Sequence, residues 1–258
     1  MILQLNHICK VFNRGTVNEV TLFQDFNFEM EQGEFVSIVG SNGSGKTTLL
    51  NIICGSIPID GGSVFISGEN VAHKKDFRRY AKIGRVYQNP AMGTCPNMTV
   101  LENMALADNK GKPWNIGFLC NKKKTEGYRE MLAGLGLGLE DRMHVRVGAL
   151  SGGQRQAMSL LMTTMTPLDF LILDEHTAAL DPKTAEIIMQ LTDRIIREKK
   201  LTALMVTHNL RHAAAYGSRL VMMHEGKCIM DLKGEKKKNA DVDTLLSAFY
   251  EISIETGN

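Results

Sequence analysis

The sequence lacks paired cysteines, long apolar runs and any strong excess of charge. Its five cysteines are scattered, odd in number and never form a C-x-x-C pair, which favours reduced thiols in a cytosolic protein over a disulfide framework or a zinc site. No run of about 18 apolar residues occurs, so we expect that the chain does not itself span a membrane. The alternating start, MILQLNHICKVF, has no basic region before an apolar stretch and is not expected to be a signal peptide.

The charge balance argues against a partner held mainly by electrostatic attraction. A formal net charge of +2 gives no reason to expect nucleic acid or an acidic membrane surface as a partner. Hydrophobic residues make up 43% and charged residues 22% of the 258 positions, which is the composition of a soluble globular protein. This length suffices for one large domain, or for one domain that carries an inserted lobe.

Short apolar runs separated by helical patterns predict an α/β core. Residues 1–32 alternate apolar and polar positions, as in VTLFQDFNFEM, and predict an N-terminal antiparallel β layer. The runs EFVSIVG, KIGRVYQ, LDFLILD, LTALMVT and SRLVMM suit a mostly parallel sheet that is covered on both faces. Near the C-terminus, KGEKKKNAD (233–241) predicts an exposed loop, and a short helix is expected near 241–252.

Residues 89–165 interrupt this alternation and predict an inserted α-helical lobe. They contain little strand pattern, and TVLENMALA and GYREMLAGLGL have helical spacing. We therefore expect a single domain over 1–258, in which 1–88 and 166–258 form the α/β core and 89–165 form the lobe.

The stretch GSNGSGKTT is predicted to bind nucleotide phosphates. It follows the strand EFVSIV, opens a helix and fits the pattern G-x-x-x-x-G-K-[ST]. Lys46 can reach the β- and γ-phosphates, and the hydroxyl of Thr47 can ligate Mg²⁺. The expected nucleotide-binding residues of this loop are Gly40, Ser41, Asn42, Gly43, Ser44, Gly45, Lys46, Thr47 and Thr48. The motif alone also fits a kinase or a GTPase.

Polar side chains follow three further apolar strands. FLILDE ends in Asp174, which suits a Mg²⁺ partner, and Glu175, which can act as the base that polarises an attacking water. Gln88 can contact the metal or that water, and a neutral His208 can stabilise transferring charge. Alone, the carboxylates could cap a helix, and Gln88 and His208 could be ordinary polar residues. Together with the phosphate loop, they favour catalysis.

The stretch ALSGGQRQA (149–157) has the features of a second anion-binding helix start. Gly152 and Gly153 carry no Cβ that would block their N–H groups, and the positive end of the helix dipole lies at the same place. One chain therefore carries two candidate phosphate sites.

The order of these motifs resembles the nucleotide-binding subunit of ATP-binding cassette (ABC) transporters over essentially the whole chain. That order is phosphate loop, Gln88, LSGGQ at 150–154, DE, AALD and histidine. The resemblance implies a P-loop NTPase fold with a RecA-like core, and ATP and Mg²⁺ as cofactors. It implies that Phe12 stacks on adenine, although a strand-core role competes with this interpretation. It also implies that Gln88 is the Q-loop glutamine, that Ala179–Asp181 is the D-loop and that His208 is the switch histidine.

The resemblance further implies how the two phosphate sites work together. In the family, LSGGQ of one subunit closes over the ATP that the phosphate loop of a second copy holds, so a twofold dimer has two shared sites. Ser151, Gly152, Gly153, Gln154 and Asp181 would contribute to these sites. The lobe would dock onto integral membrane permease subunits at the cytoplasmic face of the cell membrane, and an extracytoplasmic solute-binding protein would deliver the substrate.

One stretch departs from the family pattern. The usual DEPTSALD is DEHTAALD here, so His176 replaces proline and Ala178 replaces serine. Proline would fix φ and remove an N–H beside the expected base, and histidine does neither. Because Asp174, Glu175 and Asp181 are kept, we expect ATP hydrolysis, with His176 as a passive replacement. The stretch also resembles ATPases of importers with lipoprotein binding proteins, some of which serve aromatic amino acids.

Other functions remain open from the sequence. An ABC exporter with a separate permease would carry the same motifs. The ABC ATPases that act on DNA insert long coiled coils, those that act on ribosomes carry tandem cassettes, and this sequence has neither these nor a basic face. A small-molecule kinase would leave LSGGQ and His208 without a role. The transported substrate is not encoded here, because the permease and the binding protein select it.

Overall fold

The structure, a computed structural model, describes residues 1–112 and 122–247. The chain forms two compact units, one of residues 1–80 together with 200–247, and one of residues 81–199. The second unit includes a pair of strands as well as helices, so its bounds differ from those of the expected lobe at 89–165. That division into core and lobe stays a prediction.

An antiparallel sheet forms one layer of the first unit. Its strand order is β2-β1-β4-β5, with the bounds β1 (Leu3–Phe12), β2 (Val20–Met30), β4 (Gly61–Ile66) and β5 (Glu69–Asn70). Leu3, Leu5 and Ile8 of β1 are fully buried, and their polar neighbours are less so. This alternation places one face of the sheet on the core and confirms the predicted β layer.

Parallel strands form the second layer of the first unit. Here β3 (Phe35–Gly40) lies between β8 (Ala203–Val206) and β9 (Arg219–His224), and β10 (Lys227–Lys233) pairs antiparallel with β9. All residues of β3 and β8 are buried, as the continuous apolar runs predict. The helices α1 (Lys46–Cys54) and α7 (Leu210–Ala215) pack against β3, and α2 (Asp76–Tyr80) packs against α1.

A buried arginine joins the two layers. Arg219 of β9 donates from Nη1 to the carbonyl oxygen of Glu29 on β2 at 2.7 Å, and from Nε and Nη2 to the carboxylate of Asp231 on β10 at 2.8 and 2.6 Å. Its guanidinium also lies 5.4 Å from the ring centroid of Phe28. The two-pronged ion pair offsets the cost of burying the charge, so Arg219 can hold the antiparallel layer against the parallel strands.

Within its described residues, 81–112 and 122–199, the second unit combines two parallel strands with four longer helices. Its strands are β6 (Ile83–Val86) and β7 (Phe170–Asp174), and its helices are α3 (Val100–Asp108), α4 (Lys122–Ala133), α5 (Gly152–Thr163) and α6 (Pro182–Lys199). The 3₁₀ turns Pro90–Met92 and Val147–Ala149 precede α3 and α5. Helix α5 contacts α3, α4, α6 and β6, so it is the central element of this unit.

Three sequence expectations need correction or completion. KGEKKKNAD was expected to be an exposed loop, but α8 spans Gly234–Lys238, and the buried Lys237 donates from Nζ to the carbonyl oxygen of Ala214. Glu235 in the first turn and lysines in the last turn suit the helix dipole. No pattern in the sequence predicted β4, β5 and β10, which are short or half exposed. Residues 242–247 are helical, and the rest of the helix expected near 241–252 lies outside the described residues.

The described helices are all too short or too polar to cross a membrane. The described cysteines, Cys9, Cys54, Cys95 and Cys228, form no disulfide bond, and Cys120 lies outside the described residues.

Asp108 connects the end of α3 to α4. Its carboxylate accepts hydrogen bonds from Nζ of Lys124 at 2.6 Å and the hydroxyl of Tyr128 at 2.9 Å, both on α4, and from Nζ of Lys112 at 3.0 Å. The bond from Lys124, with smaller contributions from the other donors, lowers the pKa of Asp108 from 3.8 to about 2.

Asp108→Asn should lower the free energy of unfolding by about 1–2 kcal/mol at neutral pH, because the amide loses the charge that these donors stabilise. Since the folded-state pKa lies below the unfolded value, this contribution is fully present above about pH 4 and is lost as the pH falls towards about 2. Urea unfolding of parent and variant between pH 7 and pH 3 measures the difference, which should shrink below pH 4.

The matched control is Asp141→Asn, which alters an exposed carboxylate of the same unit and should change the free energy of unfolding by less than about 0.5 kcal/mol. A difference for Asp108→Asn that is the same at every pH would contradict the charge argument.

Candidate nucleotide-binding site

The phosphate loop joins β3 to α1, as predicted. Gly43 has φ 80° and Gly45, the N-cap of α1, has φ 100°, a left-handed backbone that suits glycine. Gly40 is required for steric reasons, because a Cβ at this position would lie 2.2 Å from the carbonyl oxygen of Met223 on β9. These glycines fix the path of the chain around the N-terminus of α1.

The ammonium of Lys46 lies inside this loop. Its Nζ donates to the carbonyl oxygens of Gly40 and Ser41, each at 2.8 Å, and to Oγ of Ser44 at 3.3 Å. The side chain is buried, whereas Thr47 in the first turn of α1 is exposed. A buried positive charge next to a helix N-terminus is suited to bind phosphate.

His224 supports the same loop and was not among the predicted site residues. It ends β9, and its Nδ1 lies 3.3 Å from Oγ of Ser41. The only sequence feature that could have indicated this contact is the polar residue directly after the apolar run SRLVMM.

Two other predicted residues of the first unit lie at strand ends. Phe12 is the last residue of β1 and is half-buried, with Nζ of Lys10 5.3 Å from its ring centroid. His208 is exposed and lies between the end of β8 and Asn209, which caps α7. The partial exposure of Phe12 disfavours a role purely in the core.

In the second unit, β7 ends in Asp174. Its Oδ2 accepts a hydrogen bond at 2.6 Å from Nη2 of Arg85 on the neighbouring β6, and the Arg85 guanidinium lies 4.8 Å from the ring centroid of Tyr87. The ion pair restricts the orientation of the carboxylate. Arg85 was not among the predicted site residues, although a charge inside the apolar run KIGRVYQ was an available signal.

The residues that follow Asp174 form a tight turn. Glu175 has φ 48°, which is uncommon for a residue other than glycine, and its carbonyl oxygen accepts from the N–H of Ala178 at 2.9 Å. His176 is buried, and its Nε2 lies 3.1 Å from Oγ1 of Thr192 on α6. The structure thus gives His176 a specific partner that the sequence did not reveal.

The two remaining predicted residues near β6 and α6 are exposed. Gln88 follows β6, and the carbonyl oxygen of the preceding Tyr87 accepts from Nε2 of Gln156 at 3.0 Å. Asp181 is on the surface, and its Oδ1 accepts from the N–H of Thr184 at 3.1 Å. The hydrogen bonds from Thr184 lower the pKa of Asp181. Asp181, the predicted D-loop aspartate, therefore also caps the start of α6.

The LSGGQ stretch forms the start of α5. Ser151 and Gln154 make a capping box, in which Oγ of Ser151 accepts from the N–H of Gln154 and Oε1 of Gln154 accepts from the N–H of Ser151, both at 3.2 Å. The side chains thus cap the N–H groups of Ser151 and Gln154, whereas those of Gly152 and Gly153 belong to the first turn, which has no intrahelical acceptors. A Cβ on Gly153 would lie 2.4 Å from Cγ2 of Thr184, so this glycine is also needed for packing against α6.

Parallel pairing collects the predicted residues at strand ends within each unit. In the first unit, β3 and β8 are neighbours, so the phosphate loop and His208 lie at the same edge of the sheet. In the second unit, β6 and β7 are neighbours, so Gln88 and the Asp174–Glu175 pair share an edge. Carboxyl ends of parallel strands are where α/β proteins bind ligands.

The comparisons with known proteins agree with this geometry. The model of the ABC transporter family matches residues 23–178. The chain is 45% identical over 248 residues to the tyrosine transport ATP-binding protein of Clostridioides difficile (strain R20291), covering 96% of this chain and 98% of that protein. It is 33% identical over 237 residues to the phosphonates import ATP-binding protein PhnC 2 of Oceanobacillus iheyensis, covering 89% of each.

A solved structure shows the same fold. The dimeric post-hydrolysis state of the ATP-binding cassette MJ0796, bound to ADP and Pi, matches with a TM-score of 0.75 and 29% identity over 90% of this chain and 98% of that chain. The predicted P-loop NTPase fold with its antiparallel N-terminal layer is confirmed. On its family match, its relatives and its fold, this chain belongs to the ABC transporter family as an ATP-binding cassette, the ATPase subunit of a transporter.

Proposed function

We propose that two copies of this chain close over two ATP molecules and that hydrolysis powers the uptake of a small solute, with amino acids as the leading class, through a separate membrane permease. The observation that supports the proposed dimer is the exposed N-terminus of α5. Ser151 is exposed, and the capping box leaves the glycine N–H groups of the first turn for an external anion. The MJ0796 cassette is described as dimeric.

Within one copy, the residues divide into binding and catalytic roles. The loop at 40–48 binds the phosphates with its N–H groups and with the charge of Lys46, and Phe12 stacks on the adenine. Glu175 accepts the proton of the attacking water, Gln88 positions that water, and His208 stabilises charge on the γ-phosphate.

The donor set of the chain fits Mg²⁺. The exposed hydroxyl of Thr47, the carboxylate of Asp174 and the amide of Gln88 supply the oxygen ligands that this ion prefers. When bound, the ion neutralises charge on the β- and γ-phosphates. Arg85 keeps the Asp174 carboxylate at the end of β7, where it can serve as such a ligand.

The partner copy is proposed to complete each site. Its Ser151, Gly152, Gly153 and Gln154 would bind the γ-phosphate at the α5 start, and Asp181 would lie at the interface. ATP would then be part of the contact between copies, and hydrolysis would release it.

The relatives support uptake. The tyrosine transport and phosphonates import proteins match nearly the whole chain, which favours an ATPase subunit at the cytoplasmic face of the cell membrane that works with permease subunits and an extracytoplasmic solute-binding protein.

The docking surface is proposed at Asn89–Met104. Its 3₁₀ turn Pro90–Met92 exposes Met92, which is 67% accessible. Buried Asn103 braces the segment by exchanging hydrogen bonds of 2.7 and 3.0 Å with the backbone of Cys95.

Cells that carry Lys46→Ala in place of the parent should lose uptake of labelled tyrosine-class amino acids. The purified variant should hydrolyse ATP about 100-fold more slowly or worse, because the charge that faces the phosphates is gone. Lys75→Ala, at an exposed lysine of the same unit, should behave as the parent. Normal ATP turnover by Lys46→Ala would refute the site; lost turnover with unchanged uptake would refute the substrate class.

The dimer is tested by light scattering with saturating ATP. Glu175→Gln keeps the shape of the base but cannot accept a proton, so it should trap the closed dimer and double the mass. Adding Ser151→Arg should place bulk at the phosphate position and restore the monomer, whereas adding Ala133→Arg, at an exposed position of α4, should not. Equal dimerisation with and without Ser151→Arg would exclude the α5 start as the second half of the site.

Coupling to the permease is tested with Met92→Glu. A charge on this exposed turn should reduce solute uptake about 10-fold or more by opposing an apolar contact, while ATP turnover of the isolated protein stays within about twofold. Met131→Glu, at an exposed methionine of α4, is the matched control and should leave uptake unchanged. If Met92→Glu supports normal uptake, the turn is not part of the dock.

A further inference from the structure

We infer that His176 is a positioning residue for Glu175, and that it acts through its hydrogen bond to Thr192 on α6. The inference rests on the proposed role of Glu175 as the catalytic base. It concerns one of the two positions at which this chain departs from the DEPTSALD pattern, where the sequence suggested a passive replacement.

The backbone at Glu175 needs support from its neighbours. A φ of 48° is unfavourable for a residue with a Cβ, and such conformations persist only where the surrounding structure fixes them. On the N-terminal side, the support is strong. Leu173 pairs with Val86 in the β6–β7 ladder, and Asp174 is held by Arg85 at 2.6 Å.

On the C-terminal side, the corresponding support comes from His176. Its side chain is 2% exposed, and Nε2 lies 3.1 Å from Oγ1 of the fully buried Thr192. That hydroxyl donates its own hydrogen to the carbonyl oxygen of Ile188 at 2.7 Å, so it accepts from His176. The imidazole therefore carries a proton on Nε2 and is attached to the middle of α6.

The histidine replaces one kind of restraint by another. Proline would restrict this turn through its ring, whereas histidine restricts it through a side chain fixed to α6. Glu175 is thereby held between two anchors, Arg85 with Asp174 before it and His176 with Thr192 after it. The start of α6 carries Asp181 as its cap, so the helix that anchors the base also begins at the D-loop.

The test compares Thr192→Val, which removes the acceptor but keeps the shape, with Thr192→Ser, which keeps the hydroxyl. Thr192→Val should lower kcat per ATP-binding site about 10-fold, while KM and the affinity for ATP stay within about twofold, because a misplaced base affects chemistry and not binding. Thr192→Ser should recover at least half of the parent kcat.

Controls separate positioning from a general loss of packing. Thr164→Val removes the hydroxyl of another buried threonine, at the end of α5, which bonds to the helix carbonyl of Leu160 at 3.0 Å; it should lower the melting temperature without changing kcat. His176→Gln keeps an N–H donor and should retain kcat within about threefold, whereas His176→Leu should match Thr192→Val. The double variant His176→Leu/Thr192→Val should be no slower than the slower single variant, because both remove one interaction.

Glu175→Gln separates the failure of this inference from the failure of the proposed function. Near-normal turnover by Glu175→Gln would overturn the role of the base, and the inference with it. If Glu175→Gln loses turnover while Thr192→Val keeps the parent kcat, the base stands and the positioning role of His176 is refuted. The same conclusion follows if His176→Leu and Thr192→Val multiply their effects.

Discussion

The proposed chemistry of this chain depends on where its buried strands end. Each residue of β3 and β8 is shielded from water, so on these two strands a polar side chain can reach a ligand only beyond the last strand residue. The phosphate loop follows β3, His208 follows β8, and Asp174 closes β7. Because β3 and β8 run parallel in the first unit, as β6 and β7 do in the second, the ends of each pair meet at one edge of that pair. Burial of the strands therefore determines both where the site residues lie and which of them are neighbours.

Charges that enter the interior are stabilised in different ways. Lys46 is buried against backbone carbonyls of its own loop, which are neutral acceptors. Arg219 is buried against the carboxylate of Asp231, which is a fixed counterion. The carbonyls place the Lys46 ammonium inside the phosphate loop, whereas the carboxylate of Asp231 pairs the charge of Arg219 within the fold. This contrast explains why the lysine suits phosphate binding and the arginine serves to join sheets.

Local patterns in the sequence predicted most of the fold, and long-range contacts were the part they could not predict. The helix from Lys46 to Cys54 and the strand at Phe35–Gly40 follow from glycines, apolar runs and spacing within a few residues. The Arg85–Asp174 pair spans 89 positions, and the His176–Thr192 bond depends on how α6 packs. Neither contact can be predicted from a local motif, because tertiary packing determines which residue each side chain meets. The strands β4 and β10 were missed because half-exposed strands lack a continuous apolar run.

The two helix starts proposed to share the γ-phosphate are built differently. Helix α1 begins at Gly45 without a side-chain cap, so no N-cap side chain competes with an anion for its first N–H groups. Helix α5 begins with the Ser151–Gln154 capping box, which satisfies two donors and leaves those of the two glycines. A helix start whose N–H groups are mostly hydrogen-bonded loses little stability when no anion is present. A helix start without a side-chain cap gains more stability when an anion binds. Under the proposed dimer, nucleotide therefore binds first at the phosphate loop, and the α5 start of the partner closes over a ligand already in place.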